Sequence, residues 1–261
     1  MCSSDLFPSH DKLFVIAVGG TGMRCLESFT HLCAIGMFDN QEIEILTLDT
    51  DQTNGNKARA EQLIDLYNRI KTHGNIPGGT PNSNTFFSAK LNLYRFSTDY
   101  SKESRKNFKN ISNISGGDRE QQENNKLLAD LFLDSESVQQ FDLSHGYRAQ
   151  THLGSYLMYH GIIESAKNLR DSLDKSSKEE KQLGEFMDKL QQSSANARVF
   201  IFGSVFGGTG ASSIPILPKA LQDFIKIRSG GTSSLDFSKT KFGSTLLTEY
   251  LRIERPASGK A

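Results

Sequence analysis

Two short glycine-rich segments, each close behind an apolar run, constrain the fold of this chain more than any other feature of the sequence. The first is Gly19-Gly20-Thr21-Gly22, in LFVIAVGGTGMRC, and the second is Gly207-Gly208-Thr209-Gly210, in FIFGSVFGGTGAS. We call them the first and second glycine turns. Apolar runs rich in β-branched and aromatic residues are typical of strands that a parallel sheet buries on both faces. The sequence therefore predicts two buried strands that each lead into a glycine turn at the sheet edge.

The residues around the first glycine turn predict a βαβ unit. Residues 13–18 form its first strand, and apolar residues then recur at helical spacing up to Gly36, which suits a helix end. Residues 43–48 form a second strand that leads into Asp49 and Asp51. Such units are right-handed and bind ligands at the carboxyl ends of their strands. We therefore expect an α/β fold with a three-layer, Rossmann-like and mostly parallel sheet.

The remaining sequence is expected to belong to the same single domain, residues 1–261. Residues 74–117 are rich in Asn, Ser, Gly and Thr, which predicts a loop-rich region or insertion, with a short strand in FFSAKLNLYRF. Residues 175–197 carry many charges and predict an exposed helical extension. A further strand is predicted in FGSTLLTEYLRI. Helices are predicted over residues 54–73, 118–140, 147–174 and 212–227, the last with Pro215 and Pro218 in its first turns.

Composition and charge argue against several classes of protein. Thirty basic and thirty acidic residues cancel, so the overall charge does not favour binding to nucleic acid or an anionic membrane. No stretch reaches the roughly 18 apolar residues of a membrane span, and the first residues lack the pattern of a signal peptide. The three cysteines are too few and too scattered for a disulfide framework or a zinc site. We expect a cytoplasmic protein with no membrane segment and no nucleic-acid partner.

The two glycine turns have the chemistry of a phosphate site. Glycine allows the backbone to approach a ligand closely, and the start of a following helix directs amides and a partial positive charge at the same point. Thr21, Thr209 and Ser212 would add hydroxyl donors, and Asp49 and Asp51 are suited to hold a hydrated Mg²⁺. The alternatives are a tight connection for the first turn, close helix-to-sheet packing for the second, and helix capping or loop solvation for the two aspartates.

Two common nucleotide motifs fit this pattern poorly. A P-loop requires Gly-x-x-x-x-Gly-Lys-Ser/Thr, and neither glycine turn carries the lysine. A dinucleotide-binding unit requires Gly-x-Gly-x-x-Gly and an acidic residue roughly 20 positions later. Here Cys25 stands where the third glycine belongs, and Asp49 comes later than expected. An NAD(P)-binding oxidoreductase would also leave the second glycine turn without a role, but it stays open as an alternative.

The second glycine turn resembles the signature of the tubulin/FtsZ family. FGSVFGGTGAS is similar to that family's Gly-Gly-Gly-Thr-Gly-Ser/Thr-Gly loop between a buried strand and a helix, and LDTDQTN is similar to the Asn-Thr-Asp-Ala-Gln segment after its second strand. The likeness is greatest to divergent bacterial tubulin-like proteins, and it covers residues 13–252 at most. It implies a GTP-binding domain with sheet order 3-2-1-4-5-6, which self-associates head to tail or assembles with a tubulin-like partner subunit.

The resemblance also implies roles for individual residues. Arg24 falls where the family places a polar nucleotide contact, with an ordinary surface arginine as the alternative. Gly146 and Arg148, in HGYRAQ, stand where a third phosphate loop is expected, and ordinary loop residues are the alternative there. GTP/GDP phosphates would be lined by Gly19, Gly20, Thr21, Gly22, Gly207, Gly208, Thr209 and Gly210, and Mg²⁺ with its waters by Asp49 and Asp51.

The chain also departs from the family pattern. Phe206 replaces the first glycine of the signature, and Ser212 replaces its last. The family's guanine-reading asparagine and its hydrolytic acidic residues, which a neighbouring subunit supplies, are expected beyond Ala261, so the domain is predicted to be incomplete at its C-terminus. GTP hydrolysis would then depend on assembly. A scaffold that keeps the fold without the chemistry is the alternative from a different class.

Overall fold

The computed structural model describes residues 11–38, 41–50, 55–74, 86–97, 150–236 and 238–248, together with isolated positions between residues 120 and 147. Within these residues the strands are β1 (Lys12–Val18), β2 (Glu42–Leu48), β3 (Lys90–Phe96), β4 (Ala197–Ser204) and β5 (Lys241–Leu247). The helices are α1 (Gly19–Ala34), α2 (Asn56–His73), α3 (Thr151–Asp171), α4 (Lys178–Gln192), α5 (Gly208–Ser213) and α6 (Leu217–Arg228). Short 3₁₀ turns at Leu173–Lys175 and Ser194–Asn196 flank α4.

The five strands form one sheet in the order β3-β2-β1-β4-β5, and every neighbouring pair is parallel. Val15 in the central strand β1 is in register with Ile45 of β2 and with Phe200 of β4. The predicted α/β fold with a parallel sheet is therefore confirmed, and the order agrees with the first five strands of the expected arrangement. Because all strands run the same way, their carboxyl ends lie together along one side of the sheet, which we call the carboxyl edge.

Helices cover the sheet on both sides and make three layers. Alternate side chains of β1 point to opposite faces. Val15 and Ala17 join the core that α1 and α2 cover, whereas Phe14 and Ile16 join the larger core under α3, α4 and α6. The uninterrupted apolar run LFVIAV in β1 follows from this arrangement, because both of its faces are buried. Both faces of β2 are buried as well, although this strand includes Glu44 and Thr47.

The burial of helix α4 differs from what its sequence predicts. The charges of residues 175–197 predict an exposed extension, and the helix itself is confirmed, but its apolar face is buried in the larger core. Leu183, Phe186 and Leu190 are fully buried, and the ring of Phe186 packs edge-on against Phe14 of β1 with centroids 5.6 Å apart. The charges occupy the opposite face of an amphipathic helix, which the high charge density of the segment conceals in the sequence.

The helix predicted over residues 212–227 is instead two helices. Helix α5 begins earlier, at Gly208, and ends at Ser213, and α6 begins only at Leu217. Pro215 lies in the break, where its missing amide and fixed ring prevent a continuous helix. Pro218 occupies the first turn of α6, where no amide is needed.

The other predicted elements differ in how far the structure describes them. Strand β3 lies within FFSAKLNLYRF as predicted, and the helix expected over residues 147–174 is α3 with the following 3₁₀ turn. The remainder of residues 74–117 and most of residues 118–140 lie outside the described residues. None of the helices in the described part of the chain combines the length and apolar character needed to cross a bilayer.

Candidate functional site

The two glycine turns are in contact at the carboxyl edge. Strands β1 and β4 are neighbours, so the turns that follow them lie side by side. Gly19 has a φ of +66°, and a Cβ added there would lie 3.2 Å from Thr209 Cβ and 3.4 Å from the amide nitrogen of Gly210. Both the positive φ and the close approach require glycine at position 19. The structure therefore brings the two glycine turns together.

Two glycines, Gly22 and Gly210, are required by the packing of helices on the sheet, and Gly203 also lies in a close contact. A Cβ at Gly22 would lie 2.5 Å from the carbonyl oxygen of Phe202, and one at Gly210 would clash with the carbonyl oxygen of Ser204. A Cβ at Gly203 would clash with the side chain of Ile214. Close helix-to-sheet packing thus accounts for these glycines without any ligand.

Gly207 is different, because packing does not explain it. It is exposed, its φ of −97° and ψ of 169° suit any residue, and apart from its chain neighbours no atom of the described residues lies within 4 Å of the position its Cβ would take. The backbone of the second glycine turn is therefore open to the outside at this residue. An open backbone at the start of a glycine turn can accept the close approach of a ligand oxygen.

The hydroxyl groups predicted for the site differ in their positions. Thr209 is buried where it contacts Gly19, and Thr21 is half-buried in the first turn of α1. Ser212 is fully buried, and its Oγ donates to the carbonyl oxygen of Gly208 over 2.6 Å. Ser155 Oγ of α3 donates to the carbonyl oxygen of Ser212 over 2.7 Å. The structure therefore does not bring the Ser212 hydroxyl to the carboxyl edge.

The other predicted site residues are spread more widely. Gly20 and Gly208 are half-buried within the two glycine turns, and Arg24 is exposed one turn further along α1. Asp49 follows β2 and is only 2% exposed. Asp51, Gly146 and Arg148 lie outside the described residues.

Asp49 lines a small charged cavity next to the glycine turns. The cavity has a volume of about 270 Å³ and lies where β2 and β3 end and α2 begins. Lys57 Nζ donates to the carbonyl oxygen of Phe96 over 2.9 Å. Burial lowers the pKa of Lys57, and the nearby carboxylates of Glu61 and Asp49 oppose that shift. The walls are formed by Asp49, Gly55, Lys57, Ala58, Glu61, Arg95, Ser97 and Glu179.

Ion pairs hold the charged cavity together. Arg95 Nε lies 3.1 Å from Glu61 Oε2, and its Nη2 lies 2.8 Å from Asp65 Oδ2. Thr47 Oγ1 donates to Glu61 Oε1 over 2.6 Å. Glu61 is thus tied to β2, to β3 and, through Lys57 Nζ at 4.0 Å, to its own helix. The sequence offers no clear signal for this cluster, because its members come from separate elements.

Metal binding finds only partial support in these residues. Within the described ranges no group of three or more His, Cys, Asp or Glu side chains is arranged to hold a metal ion. The Asp49 carboxylate also shares its cavity with the Lys57 ammonium group. A Mg²⁺ at this edge would therefore take most of its oxygen ligands from phosphate and water, which Mg²⁺ commonly does.

On the other side of the glycine turns the carboxyl edge is apolar. Four large apolar side chains are exposed there, and we call them the apolar shelf: Val205 (44%), Phe206 (37%), Leu246 (46%) and Leu247 (37%). The backbone joins them, since the Val205 amide donates to the Leu247 carbonyl over 3.0 Å. The only sequence signal for the shelf is Phe206 at the first glycine of the signature that the second turn resembles.

The fold and this edge define a class of protein. It is an α/β protein with a parallel, Rossmann-like sheet, whose neighbouring strands β1 and β4 lead into glycine turns that contact each other. Comparison of the chain with protein-family models, with curated proteins and with solved structures found no match.

Proposed function

We propose that this chain binds GTP or GDP with Mg²⁺ at the carboxyl edge, and that it acts as a self-assembling or switch-like protein similar to tubulin and FtsZ. The contact between Gly19 and Thr209 carries the proposal, because it joins two turns of similar sequence into one surface. The choice of guanine and the assembly follow from the sequence resemblance.

The geometry offers two features that suit phosphate. Helix α1 has 16 residues and begins at Gly19 without a side-chain cap, so its first amides and the positive end of its dipole face the edge. The exposed backbone of Gly207 lies on the neighbouring turn. Phosphate oxygens that accept hydrogen bonds from the first amides of α1 and lie against the backbone of Gly207 would contact both glycine turns at once.

Mg²⁺, when bound, would neutralise part of the phosphate charge. Asp49, and Asp51 outside the described residues, are the candidates to orient its waters. The resemblance places the residues that position the attacking water on a neighbouring subunit. Nucleotide binding is therefore expected from the single chain, and hydrolysis is expected to rise steeply with protein concentration as subunits assemble.

Calorimetric titration of the purified chain with GTP, ATP and NADH, with and without Mg²⁺, tests the proposal. Binding of a triphosphate that Mg²⁺ strengthens is the expected result. Gly207→Val is the matched variant, because the Cβ that it adds lies in open space, and it should weaken triphosphate binding while the melting temperature is unchanged. Absence of binding by either triphosphate would overturn the proposal, and tight NADH binding would favour an oxidoreductase.

A scaffold without nucleotide chemistry is the second candidate. The observation that favours it is that Gly22, Gly203 and Gly210 are all explained by packing. A scaffold predicts that Gly207→Val leaves self-association or partner association unchanged. A nucleotide-dependent switch predicts that the same variant alters the association measured by sedimentation in the presence of GTP.

A further inference from the structure

Helices α1 and α2 carry exposed apolar side chains near their carboxyl-terminal ends. Leu66 and Ile70 are four residues apart on α2 and are 44% and 40% exposed. Ile35, which ends α1, and Phe86, which precedes β3, are exposed as well. We call these four residues the helix patch. Exposed apolar side chains that lie together are typical of a surface that binds a partner.

Hydrogen bonds bring the members of the helix patch together. The Phe87 amide donates to the Ala34 carbonyl over 3.1 Å, and Lys71 Nζ donates to the Phe87 carbonyl over 3.0 Å. These bonds join residues that are adjacent in sequence to three members of the patch. Leu66 follows Arg59, which forms an ion pair with α1 over 2.9 Å, by two helical turns and so lies on the same side of α2. The helix patch is therefore one surface between the ends of the two helices.

The two helices that carry the patch present positive charge. Their acidic residues are Glu27, Glu61 and Asp65, and each of these lies in an ion pair. Arg24 of α1 and Arg69 of α2 are exposed, and neither takes part in an ion pair within the described residues. Arg69 directly precedes a member of the patch. The helix patch therefore favours a partner that is both apolar and acidic.

Another part of the same chain has the complementary character. Residues 118–136 contain more acidic than basic residues. Leu127 and Leu131 are helical and are 68% and 74% exposed, and Glu120 is helical and exposed as well. Spacings of seven and four residues place these three side chains on one side of a helix. We call them the leucine stripe.

We propose that the leucine stripe of one copy of this chain docks on the helix patch of a second copy. Two leucines four residues apart are suited to anchor a helix on an apolar surface. They would bury against Leu66 and Ile70, and the acidic residues around them would approach Arg69. Both surfaces are exposed in the single chain, so they do not cover each other within one molecule. A second copy covers both surfaces.

The proposed contact joins two different surfaces, so each copy keeps one patch or one stripe for a further copy. Such a heterologous contact continues to a closed ring or an open filament. It goes beyond the proposed function, because it does not involve the nucleotide. Helices α1 and α2 begin at the carboxyl edge and end on the opposite side of the sheet, and the helix patch lies at that far end.

Two complementary variants of the full chain test the contact by sedimentation velocity without nucleotide. The patch variant combines Leu66→Gln with Ile70→Gln, and the stripe variant combines Leu127→Gln with Leu131→Gln. Each should weaken self-association by at least about tenfold, because exposed apolar anchors are lost. An equimolar mixture should form dimers and nothing larger, since each variant supplies one intact surface. Leu173→Gln is the matched control, because Leu173 is exposed outside both surfaces, and it should associate like the wild type.

Several outcomes would overturn the proposed contact. A wild-type chain that stays monomeric at high concentration would do so, and so would a mixture of the two variants that stays monomeric. A stripe variant that associates like the wild type would show that the helix patch does not bind the leucine stripe. Calorimetric titration of both variants with GTP keeps the two proposals apart, because their triphosphate binding should equal that of the wild type whether or not the contact forms.

Discussion

Gly19 and Thr209 come from different halves of the chain and lie in direct contact, with only 3.2 Å between the Thr209 Cβ and the position of a Cβ at residue 19. A side chain at position 19 would therefore press against the second glycine turn. Since α1 begins within the first glycine turn and α5 within the second, the two helix starts lie side by side at the carboxyl edge.

The glycines of the second turn should separate into a structural and a functional group. Gly210→Ala would place a methyl group against the carbonyl oxygen of Ser204, and we expect a loss of about 1–3 kcal/mol or more in the free energy of unfolding. Gly207→Ala meets no atom and should leave that free energy within about 0.5 kcal/mol of the wild type. Urea denaturation followed by circular dichroism measures both values. Equal destabilisation by the two variants would contradict the packing geometry.

The sequence predicts most of the sheet because the burial of β1, β2 and β4 requires apolar residues, which the sequence shows as apolar runs. The runs LFVIAV and IEILTL are mostly apolar since both faces of β1 and β2 are buried, and in RVFIF of β4 buried and half-buried residues alternate. The break at Pro215 and the buried face of α4 were harder to predict. Each depends on tertiary packing: a proline can begin a helix or interrupt one, and the few apolar residues of α4 stand among many charges.

The site is predictable only in part. The sequence predicts a glycine turn at the sheet edge after each of two buried strands, and the structure shows that the two turns contact each other. The inward hydroxyl of Ser212 depends on how α5 packs against α3, which no local pattern encodes. The apolar shelf depends on the pairing of Ser204 with Leu247 across two strands that are distant in sequence.

Ser212 is expected to stabilise the fold without contacting ligand. Ser212→Ala removes the hydrogen bond to the carbonyl oxygen of Gly208, which should cost about 1 kcal/mol of unfolding free energy. Under the proposed function its GTP affinity should stay within about twofold of the wild type, because the hydroxyl does not reach the edge. Denaturation and calorimetry on the same preparation check both. A tenfold loss of GTP affinity at unchanged stability would contradict this placement.

The buried carboxylate of Glu44 should make Lys189 important for docking α4. Glu44 is fully buried, and it accepts hydrogen bonds from Tyr94 Oη over 2.9 Å and from Lys189 Nζ over 3.0 Å. Burial and the neighbouring Glu44 raise the pKa of Tyr94, so the phenol remains a donor. Lys189→Met leaves the carboxylate without its cation and should cost about 2 kcal/mol, since the partly exposed lysine admits some water.

The double variant Glu44→Gln with Lys189→Met provides the control for that prediction. It removes the charge together with its partner, so it should be more stable than Lys189→Met alone by about 1 kcal/mol. A double-mutant cycle by urea denaturation at neutral pH measures the coupling. Strict additivity of the two single changes would show that the ion pair contributes nothing to the docking of α4.

Glu42 should make the stability of the protein depend on pH in the acid range. Hydrogen bonds from Lys90 Nζ, at 2.7 Å, and Asn92 Nδ2, at 2.9 Å, lower the pKa of Glu42 from 4.5 to about 2. A carboxylate with a lowered pKa in the folded state stabilises that state above pH 4.5, and the contribution is lost as the pH falls from 4.5 toward 2. Because the side chain is 34% exposed, solvent screening limits the contribution to about 1 kcal/mol.

Comparison of the wild type with Glu42→Gln isolates this effect from the other carboxylates. At pH 7 the free energy of unfolding of the variant should be lower than that of the wild type by about 1 kcal/mol. This difference in unfolding free energy should shrink steadily as the pH is lowered from 5 to 3. Both stabilities can be measured by urea denaturation at each pH and constant ionic strength. Stability falls with falling pH because the unfolded wild type binds a proton at Glu42 near pH 4.5, whereas the folded state binds it only as the pH approaches 2. A difference that is independent of pH would show that Glu42 contributes through its shape and not through its charge.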